Sequence, residues 1–332
     1  MPTAPTTAPL PPWHAGEVAL QQSVGVAERM ALHGRRIFRD QLPEQHRAFY
    51  PRLPYLLAGA VDPQGAVWAT VLAGAPGFAR SPDPGTLHIA TPRNPADPAD
   101  AGMEDGHSIA LLGIELSTRR RNRLNGVIRR SRADAFDVSV EQAYGNCPQY
   151  IQLRDFELVR DPSVPPPEPA RTLGHFDAHA RAMITEADTF FVATYVDREG
   201  GHRQVDVSHR GGRPGFVRLG DDGVLTIPDF SGNQFFNTLG NILVNPKAGI
   251  VFIDFETGDV LQISGDAEVV LDSEEIAAFE GAERLWRLTP RKTIYRAGAL
   301  PLRWTFEPDG WSPEALATGS WPAILHQAGS NS

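Results

Sequence analysis

The sequence has a single cysteine, no apolar run of membrane-spanning length and no excess of positive charge. Cys147 stands alone among 332 residues, which excludes an internal disulfide and any zinc site built on cysteine pairs. A lone cysteine fits a reducing compartment, so we expect a cytoplasmic protein. The best apolar run, residues 109–116, is only strand-sized, which argues against a membrane protein. The formal net charge of -9 argues against nucleic acid as a partner.

Signature motifs of several enzyme classes are also missing. The chain has no Gly-x-Ser-x-Gly elbow, no His-Glu-x-x-His, no Gly-x-Gly-x-x-Gly after a strand and no Walker-type loop. His175 and His179 are four residues apart, as in some metal sites, but no obvious set of carboxylates accompanies them. We therefore predict no metal site and turn to what the chain does contain.

Glycine and proline are frequent, with 31 and 29 residues, and they separate many short β-type runs. Two helical stretches, residues 17–38 and 172–187, each precede such a series of runs. Between the two series lie five prolines in nine residues, a composition typical of a stiff extended spacer. The predicted organisation is a disordered tail, an N-terminal domain, a proline-rich linker, a C-terminal domain and a second tail, at residues 1–13, 14–160, 161–170, 171–310 and 311–332.

The two halves repeat one another in sequence. Collinear matches join three segments of the first half to three of the second, namely 55–65 to 190–200, 74–78 to 212–216, and 125–126 to 264–265. Each copy offers about six short strands with turns between them and a helix in front. We predict a mainly β (α+β) fold of two tandem, six-stranded antiparallel barrels with flanking helices.

The copies differ where a ligand would bind. Only the second keeps a polar loop that leads into a helix, at residues 228–246. We predict Ser231 as the N-cap of that helix, with Asn233 and Gln234 in its first turn and Asn237 on the same face. Free backbone N–H groups at such a helix start suit a phosphate. The alternative is a capped helix that binds nothing.

One strand of the second copy presents polar groups on alternate residues. Asp206, Ser208 and Arg210 fall on one face of the strand at residues 205–210. An acid, a hydroxyl and an arginine on one face suit a polar ligand with a phosphate group. The alternative is a strand face turned to solvent.

These segments resemble the FMN-binding split barrels related to pyridoxamine 5'-phosphate oxidase. The resemblance covers about residues 14–305 and is carried by the Asn-Cys-Pro-Gln-Tyr-Ile segment at 146–151 and by the segments at 119–126, 206–217, 228–233, 245–246 and 262–267. The resemblance implies that Ser231, Asn233, Gln234 and Arg210 hold the FMN phosphate. It also implies that the flavin ring lies along a surface formed by Asp206, Val207, Ser208, Ile227, Pro228 and Asp229.

The sequence departs from the oxidase itself. An Arg-Lys pair typical of the oxidase helix start is replaced by Asn233-Gln234, and the C-terminal Arg-x-His is not evident. We therefore predict an FMN-binding oxidoreductase of unknown substrate, with no catalytic residue assigned. The alternative is a non-catalytic protein that sequesters flavin or haem, with His209 or His202 as the nearest axial ligands.

Barrels of this family usually pair and hold flavin between them, and a tandem duplication builds such a groove within one chain. Gln149, Tyr150 and residues 119–132 then become candidates for the far wall. The seven arginines of 119–132 favour a solvated hairpin around Asn125-Gly126, or else an anion site for a ligand such as a nicotinamide nucleotide. We interpret Cys147 as a small buried side chain rather than a redox thiol. A small-molecule substrate is expected, and further pairing into a homodimer is left open.

Overall fold

The computed structural model describes residues 11–322, and strands account for most of their regular structure. The first half contributes three helices and eight strands. They are α1 (Ala15–Ser23), α2 (Ala27–Ile37), α3 (Glu44–Arg47), β1 (Tyr55–Val61), β2 (Val67–Ala73), β3 (Ala79–Asp83), β4 (Thr86–Ile89), β5 (Ser108–Glu115), β6 (Arg120–Arg129), β7 (Phe136–Gly145) and β8 (Arg154–Leu158).

The second half contributes four helices and nine strands. They are β9 (Arg171–Thr172), α4 (Ala178–Thr185), β10 (Thr189–Asp197), β11 (Arg203–Gly211), β12 (Arg218–Leu219), β13 (Leu225–Phe230), α5 (Asn237–Val244), β14 (Lys247–Ile253), β15 (Val260–Val270), α6 (Glu274–Ala278), β16 (Ala282–Arg296), β17 (Leu302–Phe306) and α7 (Pro313–Leu316). None of the helices in the described part of the chain has the length and hydrophobicity needed to cross a bilayer.

The two large sheets have the same strand order. One runs β2-β1-β5-β6-β7-β4-β3 and the other β11-β10-β14-β15-β16-β13-β12, so each of these seven strands has a counterpart at the same position of the other sheet. The two-residue strand β9 also pairs with β16 and has no counterpart in the first sheet. All neighbouring strands are antiparallel. The predicted duplicated antiparallel fold is therefore confirmed, with seven ordered strands in each repeat rather than six.

The repeats also share an irregularity. The pairing register shifts at Asn125/Gly126 in β6 and at Ser264/Gly265 in β15, the two positions that the sequence alignment matches. A Cβ atom on Gly126 would lie 2.1 Å from a backbone carbonyl oxygen of β7, and one on Gly265 would lie 2.1 Å from a carbonyl oxygen of β16. Only glycine fits at this β-bulge, which explains why the repeats share it.

Three large apolar cores and one smaller cluster around Trp13 are buried among the described residues. One large core lies inside each repeat, and the third lies between them with Leu57 and Leu112 from the first and Phe191 and Val207 from the second. Strand β1 is buried on both faces, which explains its continuous run of apolar residues. In addition, β8 of the first half pairs with β17 near the end of the chain. The two repeats therefore share a continuous interior.

Several local predictions are wrong. The stretch 17–38 is two helices separated by a turn at Gly25, whose φ of +71° suits glycine. The stretch 172–187 is helical only from Ala178, where Asp177 caps the helix by accepting a hydrogen bond from the Ala180 amide. No hairpin turns at Asn125-Gly126, because β6 runs through both residues.

The predicted domain boundaries stay predictions, but residues at both predicted tails are packed. Trp13 is buried, and its indole N–H donates to the carbonyl of Met30 at 2.8 Å. Trp321 is buried beside Phe279 and donates to the carbonyl of Phe216 at 3.0 Å. The outer parts of the tails, residues 1–10 and 323–332, lie outside the described residues.

Candidate functional site

A cleft opens between the two repeats beside the segment that joins β13 to α5. We call it the loop cleft, and it encloses about 930 Å³, solvent at its mouth included. Residues 231–234, Phe236 and the end of β11 form one wall, and Arg121, Arg123 and Tyr150 of the first repeat contribute the other.

The loop adopts an unusual backbone conformation. Gln234 and Phe236 have φ values of +62° and +61°, and Tyr150 across the cleft has +63°. A non-glycine residue in this region costs roughly 1–3 kcal/mol, and such residues gather at functional sites. Among the described residues, no acceptor lies within hydrogen-bond distance of the amides of residues 232–234. The loop therefore presents free N–H donors.

The structure corrects the predicted start of the helix. Helix α5 begins at Asn237 after Phe236, so Ser231 is not its N-cap, and Asn233 and Gln234 precede its first turn. The sequence pattern predicts the start of the helix too early, because it does not reveal the left-handed conformations of Gln234 and Phe236. These residues delay the first helical turn. The Asn233 side chain instead accepts a hydrogen bond from the Phe235 amide at 3.1 Å.

The predicted polar face of β11 is present, and each charged side chain on it forms an ion pair. Asp206 is buried and pairs with Arg123 of the first repeat at 2.5 Å. The Ser208 hydroxyl donates to Asp206 at 2.9 Å and accepts from Arg123 at 2.7 Å. Arg210 pairs with Asp229 at 2.6 Å, and Arg284 pairs with the same carboxylate at 3.0 Å. The predicted solvent-facing alternative is therefore wrong for this strand.

Positive charge exceeds negative charge in the loop cleft. The side chains of Arg121, Arg123, Arg210 and Arg284 face three carboxylates, those of Asp206, Asp229 and Glu283. Arg121 donates only to the carbonyl of Cys147, at 2.6 Å, and it has no carboxylate partner among residues 11–322. Burial, and then the neighbouring Arg123 guanidinium, lower the pKa of Arg121. An anion beside Arg121 would reverse that effect.

Two further arginine atoms in the cleft are buried without a partner among the described residues. They are the Nε atoms of Arg123 and Arg210. Buried donors normally find an acceptor, so orphaned ones indicate a missing group. Together with Arg121 and the loop amides, they form a set of donors suited to phosphate and other oxygen-rich anions.

Most of the predicted site residues line this cleft. They are Ser208, Arg210, Pro228, Asp229, Ser231, Asn233, Gln234 and Asn237. Asp206 lies behind the cleft wall, where Arg123 covers it. Val207 and Ile227 do not reach the cleft, because their side chains point from their strands into the cores. Their contact with any ligand stays a prediction and would have to be made through the backbone.

The first repeat supplies the far wall of the loop cleft, for which the sequence predicts residues 119–132 among the candidates. Arg121 and Arg123 belong to β6 and both line the cleft, so the alternative of a solvated hairpin is wrong for these two residues. Gln149 and Tyr150 line the cleft where the far wall was predicted. Cys147 also lines it and is only partly buried, so the interpretation as a buried side chain is wrong.

A possible cation site elsewhere is already satisfied by hydrogen bonds. Ligand atoms of His179, Asp254 and Asp259 lie within 4.8 Å of one another. Asp259 accepts from the Tyr295 hydroxyl at 2.5 Å and from the Gly298 amide at 2.7 Å, and Asp254 accepts from two backbone amides of its own turn. These bonds account for the cluster without an ion.

One family model matches part of the chain. The family model for pyridoxamine 5'-phosphate oxidase matches residues 176–296, a range that includes β10 to β16 and the loop of the cleft. A search of curated protein sequences gave no significant match.

Similar solved structures were also found. They include HupZ from Group A Streptococcus, with 20% identity over 36% of this chain and 91% of that chain and a TM-score of 0.29. The haem storage protein HutZ from Vibrio cholerae has 20% identity over 38% and 96%, with a TM-score of 0.26. An FAD-binding protein from Mesorhizobium loti has 14% identity over 39% and 97%, with a TM-score of 0.27. Each neighbour matches little more than a third of this chain.

Proposed function

We propose that the loop cleft binds FMN and that the protein is an FMN-dependent oxidoreductase, because the family model for pyridoxamine 5'-phosphate oxidase matches residues 176–296, which include the loop of the cleft. The observation that carries the proposal is Arg121, which has no carboxylate partner among residues 11–322 and faces a loop whose amides are unpaired within the same residues. Substrate and electron donor are not fixed by this observation.

The residues present fit a phosphate-bearing flavin. Arg121, the side chain of Asn233 and the amides of residues 232–234 would hold the phosphate, in place of the Arg-Lys pair typical of the oxidase. Ser208 and Asn237 line the cleft and both accept hydrogen bonds from the Arg123 side chain. They would therefore face the polar edge of the ligand. When bound, FMN supplies the acceptor and donor of electrons that the protein side chains lack.

The aromatic edge of the cleft is suited to keep a bound ring in place. Tyr150 stacks on Phe230 with ring centroids 5.5 Å apart, and its hydroxyl donates to the carbonyl of Ser231 at 2.9 Å. Burial raises the pKa of Tyr150 to about 12, so this hydroxyl stays protonated at neutral pH. Tyr150 therefore positions the loop and does not act as a base.

The proposal is tested by FMN binding to the purified protein and to two arginine variants. Arg121→Ala removes the unpaired cation, and we expect it to weaken FMN binding by roughly 10- to 100-fold, the range for losing a charged hydrogen bond. Arg129→Ala is the matched control, because Arg129 is exposed on the same strand outside the cleft. The measurements are the visible absorption spectrum and quenching of FMN fluorescence on titration.

Two results would overturn the flavin proposal. The first is a colourless protein that takes up no FMN and is not stabilised by it. The second is equal FMN affinity of the Arg121→Ala and Arg129→Ala proteins, which would place the phosphate elsewhere. Activity with candidate substrates is assayed only after binding is established, since binding alone does not demonstrate turnover.

Haem is a second candidate, because one histidine of the cleft has free ring nitrogens. His209 is buried, and neither ring nitrogen has a partner among residues 11–322. Burial holds its pKa well below the usual value, so the ring is neutral, as metal ligation requires. His202, the other predicted ligand, lies 3.3 Å from Glu141 outside the loop cleft. Haem binding predicts a Soret band on hemin addition that His209→Ala removes.

A further inference from the structure

A second cleft lies between the end of α2 and the start of β6. We call it the arginine cleft, and it encloses about 1160 Å³ with its open mouth. Five arginines line it, namely Arg36, Arg39, Arg119, Arg120 and Arg121. Arg121 and Asn146 line both clefts, so the two spaces are adjacent.

The charge of the arginine cleft is uncompensated. No aspartate or glutamate lines it, and none of its five arginines forms an ion pair with a carboxylate among the described residues. Other arginines of this protein do form ion pairs with carboxylates, as Arg93 and Arg203 show. Five like charges facing one concave surface repel each other, and a bound anion would remove that cost.

Two of the arginines are held in fixed positions. The Arg119 guanidinium donates to the carbonyls of Ile151, Gly310 and Trp311 at 2.8 to 3.2 Å. Arg120 donates to the carbonyl of Gln45 at 2.7 Å and lies 4.4 Å from the centre of the Phe49 ring. Fixed guanidinium groups lose little side-chain entropy when they bind an anion, so this cleft is preorganised.

Buried polar atoms without partners also line the arginine cleft. His46 and Asn122 are each 4% exposed, and the Nδ1 atom of His46 and the Nδ2 atom of Asn122 have no hydrogen-bond partner among residues 11–322. Burial, and then the nearby guanidinium groups of Arg120 and Arg39, lower the pKa of His46 to about 4. A neutral imidazole N–H and an amide can each donate to a phosphate oxygen.

We propose that the arginine cleft binds a phosphorylated small molecule with at least two negative charges, at a site distinct from the loop cleft. One guanidinium group binds two phosphate oxygens, and the four arginines other than Arg121, which faces the loop cleft, exceed the need of one monoanion. The net charge of -9 disfavours a nucleic acid backbone, which would meet repulsion outside the cleft. The proposal stands on the charge and geometry of this cleft and does not require flavin in the other.

The experiment measures pyrophosphate binding by calorimetry at low salt. Protein is first saturated with FMN where it binds, so that pyrophosphate cannot occupy the loop cleft. We expect one pyrophosphate per chain, with binding weakened about tenfold by Arg36→Ala and more by Arg36→Ala/Arg39→Ala. Arg36 and Arg39 are exposed and make no side-chain hydrogen bond within the described residues, so both variants should fold. Arg129→Ala is again the control.

Three outcomes would overturn the proposal. One is absence of pyrophosphate binding to the wild-type protein, with or without FMN. Another is equal affinity of the Arg36→Ala, Arg36→Ala/Arg39→Ala and Arg129→Ala proteins. The third is tighter binding of a thymidine oligonucleotide that competes with pyrophosphate, which would make the cleft part of a nucleic acid surface. Failure of the flavin proposal is read separately, from the FMN titration alone.

Discussion

Each repeat has a cleft beside the segment that follows its strand β4 or β13, and the two clefts differ in what forms their walls. The counterpart of the loop cleft lies beside the segment between β4 and β5, and we call it the linker cleft. Pro162, Pro165 and Pro166 of the proline-rich segment form part of its wall. In the loop cleft, residues 231–234 contribute to the wall. Each cleft is lined by four arginines and two carboxylates, so the difference between them lies in the partners of these charges and not in their number.

One matched position shows how the partners of the two repeats differ. Arg123 stands two residues before the bulge of β6, and Gln262 stands two residues before the bulge of β15. Arg123 pairs with Asp206, whereas Gln262 donates to the carbonyl of Ala69 and to Asp97, both at 3.0 Å. The first repeat thus has a buried ion pair where the second has an amide in hydrogen bonds.

The largest expected effect is a difference in stability between the Arg123→Ala and Gln262→Ala proteins. Arg123→Ala leaves the carboxylate of Asp206 buried without its cation, and we expect the free energy of unfolding to fall by about 3–5 kcal/mol. Gln262→Ala loses only neutral and singly charged hydrogen bonds, and we expect a fall of about 1–3 kcal/mol. Urea denaturation of the flavin-free proteins measures both.

The double variant Arg123→Ala/Asp206→Ala serves as the control for that measurement. It removes the stranded charge and should recover much of the stability that Arg123→Ala loses. If Gln262→Ala costs as much as Arg123→Ala, or the double variant recovers nothing, the buried ion pair is not what distinguishes the two clefts.

The shared framework was more predictable than the cleft. Alternating apolar residues and repeated glycine turns predicted two copies of an antiparallel sheet, because strand period and turn chemistry are local properties. These features survive in sequence because each depends on few neighbours. The alignment also matched Gly126 to Gly265, but the bulge there was not predicted, because it depends on the close approach of a carbonyl from the neighbouring strand.

The content of the cleft was less predictable because its partners come from distant parts of the chain. Arg123 and Asp206 form an ion pair although they are 83 positions apart in the sequence. Nothing in the arginine-rich sequence around Arg123 distinguishes this buried residue from the exposed Arg129. The left-handed conformations at Gln234 and Phe236 likewise depend on the folded surroundings, so the true start of α5 could not be inferred. Burial of a charge is decided by tertiary structure.

A second expected effect concerns a buried acid behind the loop cleft. Glu17 of α1 accepts a hydrogen bond from Asn237 at 2.6 Å, and Asn237 in turn accepts one from Arg123. Unlike Asp97 of the linker cleft, which pairs with Arg296 at 3.1 Å, Glu17 has no arginine or lysine partner among the described residues. Burial raises its pKa from 4.5 to about 8, so it is protonated in the folded protein at pH 7.

The direction of the pH effect follows from comparing folded and unfolded chains. Above pH 6.5 the unfolded chain has lost the proton of Glu17 while the folded protein retains it until about pH 8, so stability falls as pH rises through this window. Below pH 6.5, His14 offsets the effect, because burial lowers its pKa to about 4 and the unfolded chain gains a proton there. Between pH 6.5 and 8, we expect the free energy of unfolding of the wild-type protein to fall by about 2 kcal/mol more than that of the Glu17→Gln protein. Parallel stability curves for the two proteins would show that Glu17 is ionised when folded.

The smallest expected effect tests whether the linker alone closes the second cleft. We expect one FMN per chain, and we expect that number to stay at one when Pro162, Pro165 and Pro166 are replaced by serine. Removing three prolines that line a surface wall should lower the free energy of unfolding by only about 1 kcal/mol, mainly through a more flexible unfolded chain. Stoichiometry is measured from bound flavin absorbance against protein concentration.

The reason for a constant stoichiometry lies beneath the linker. Asp97 faces inward in the linker cleft, where it accepts hydrogen bonds from Gln262 and Thr70 and neutralises Arg296. A phosphate placed there would meet the carboxylate of Asp97, and like charges at short range repel. Two flavins per chain after the proline substitutions would show instead that the clefts differ in access and not in chemistry. The added variant Asp97→Asn then separates these causes, because it removes the repelling charge without moving the linker.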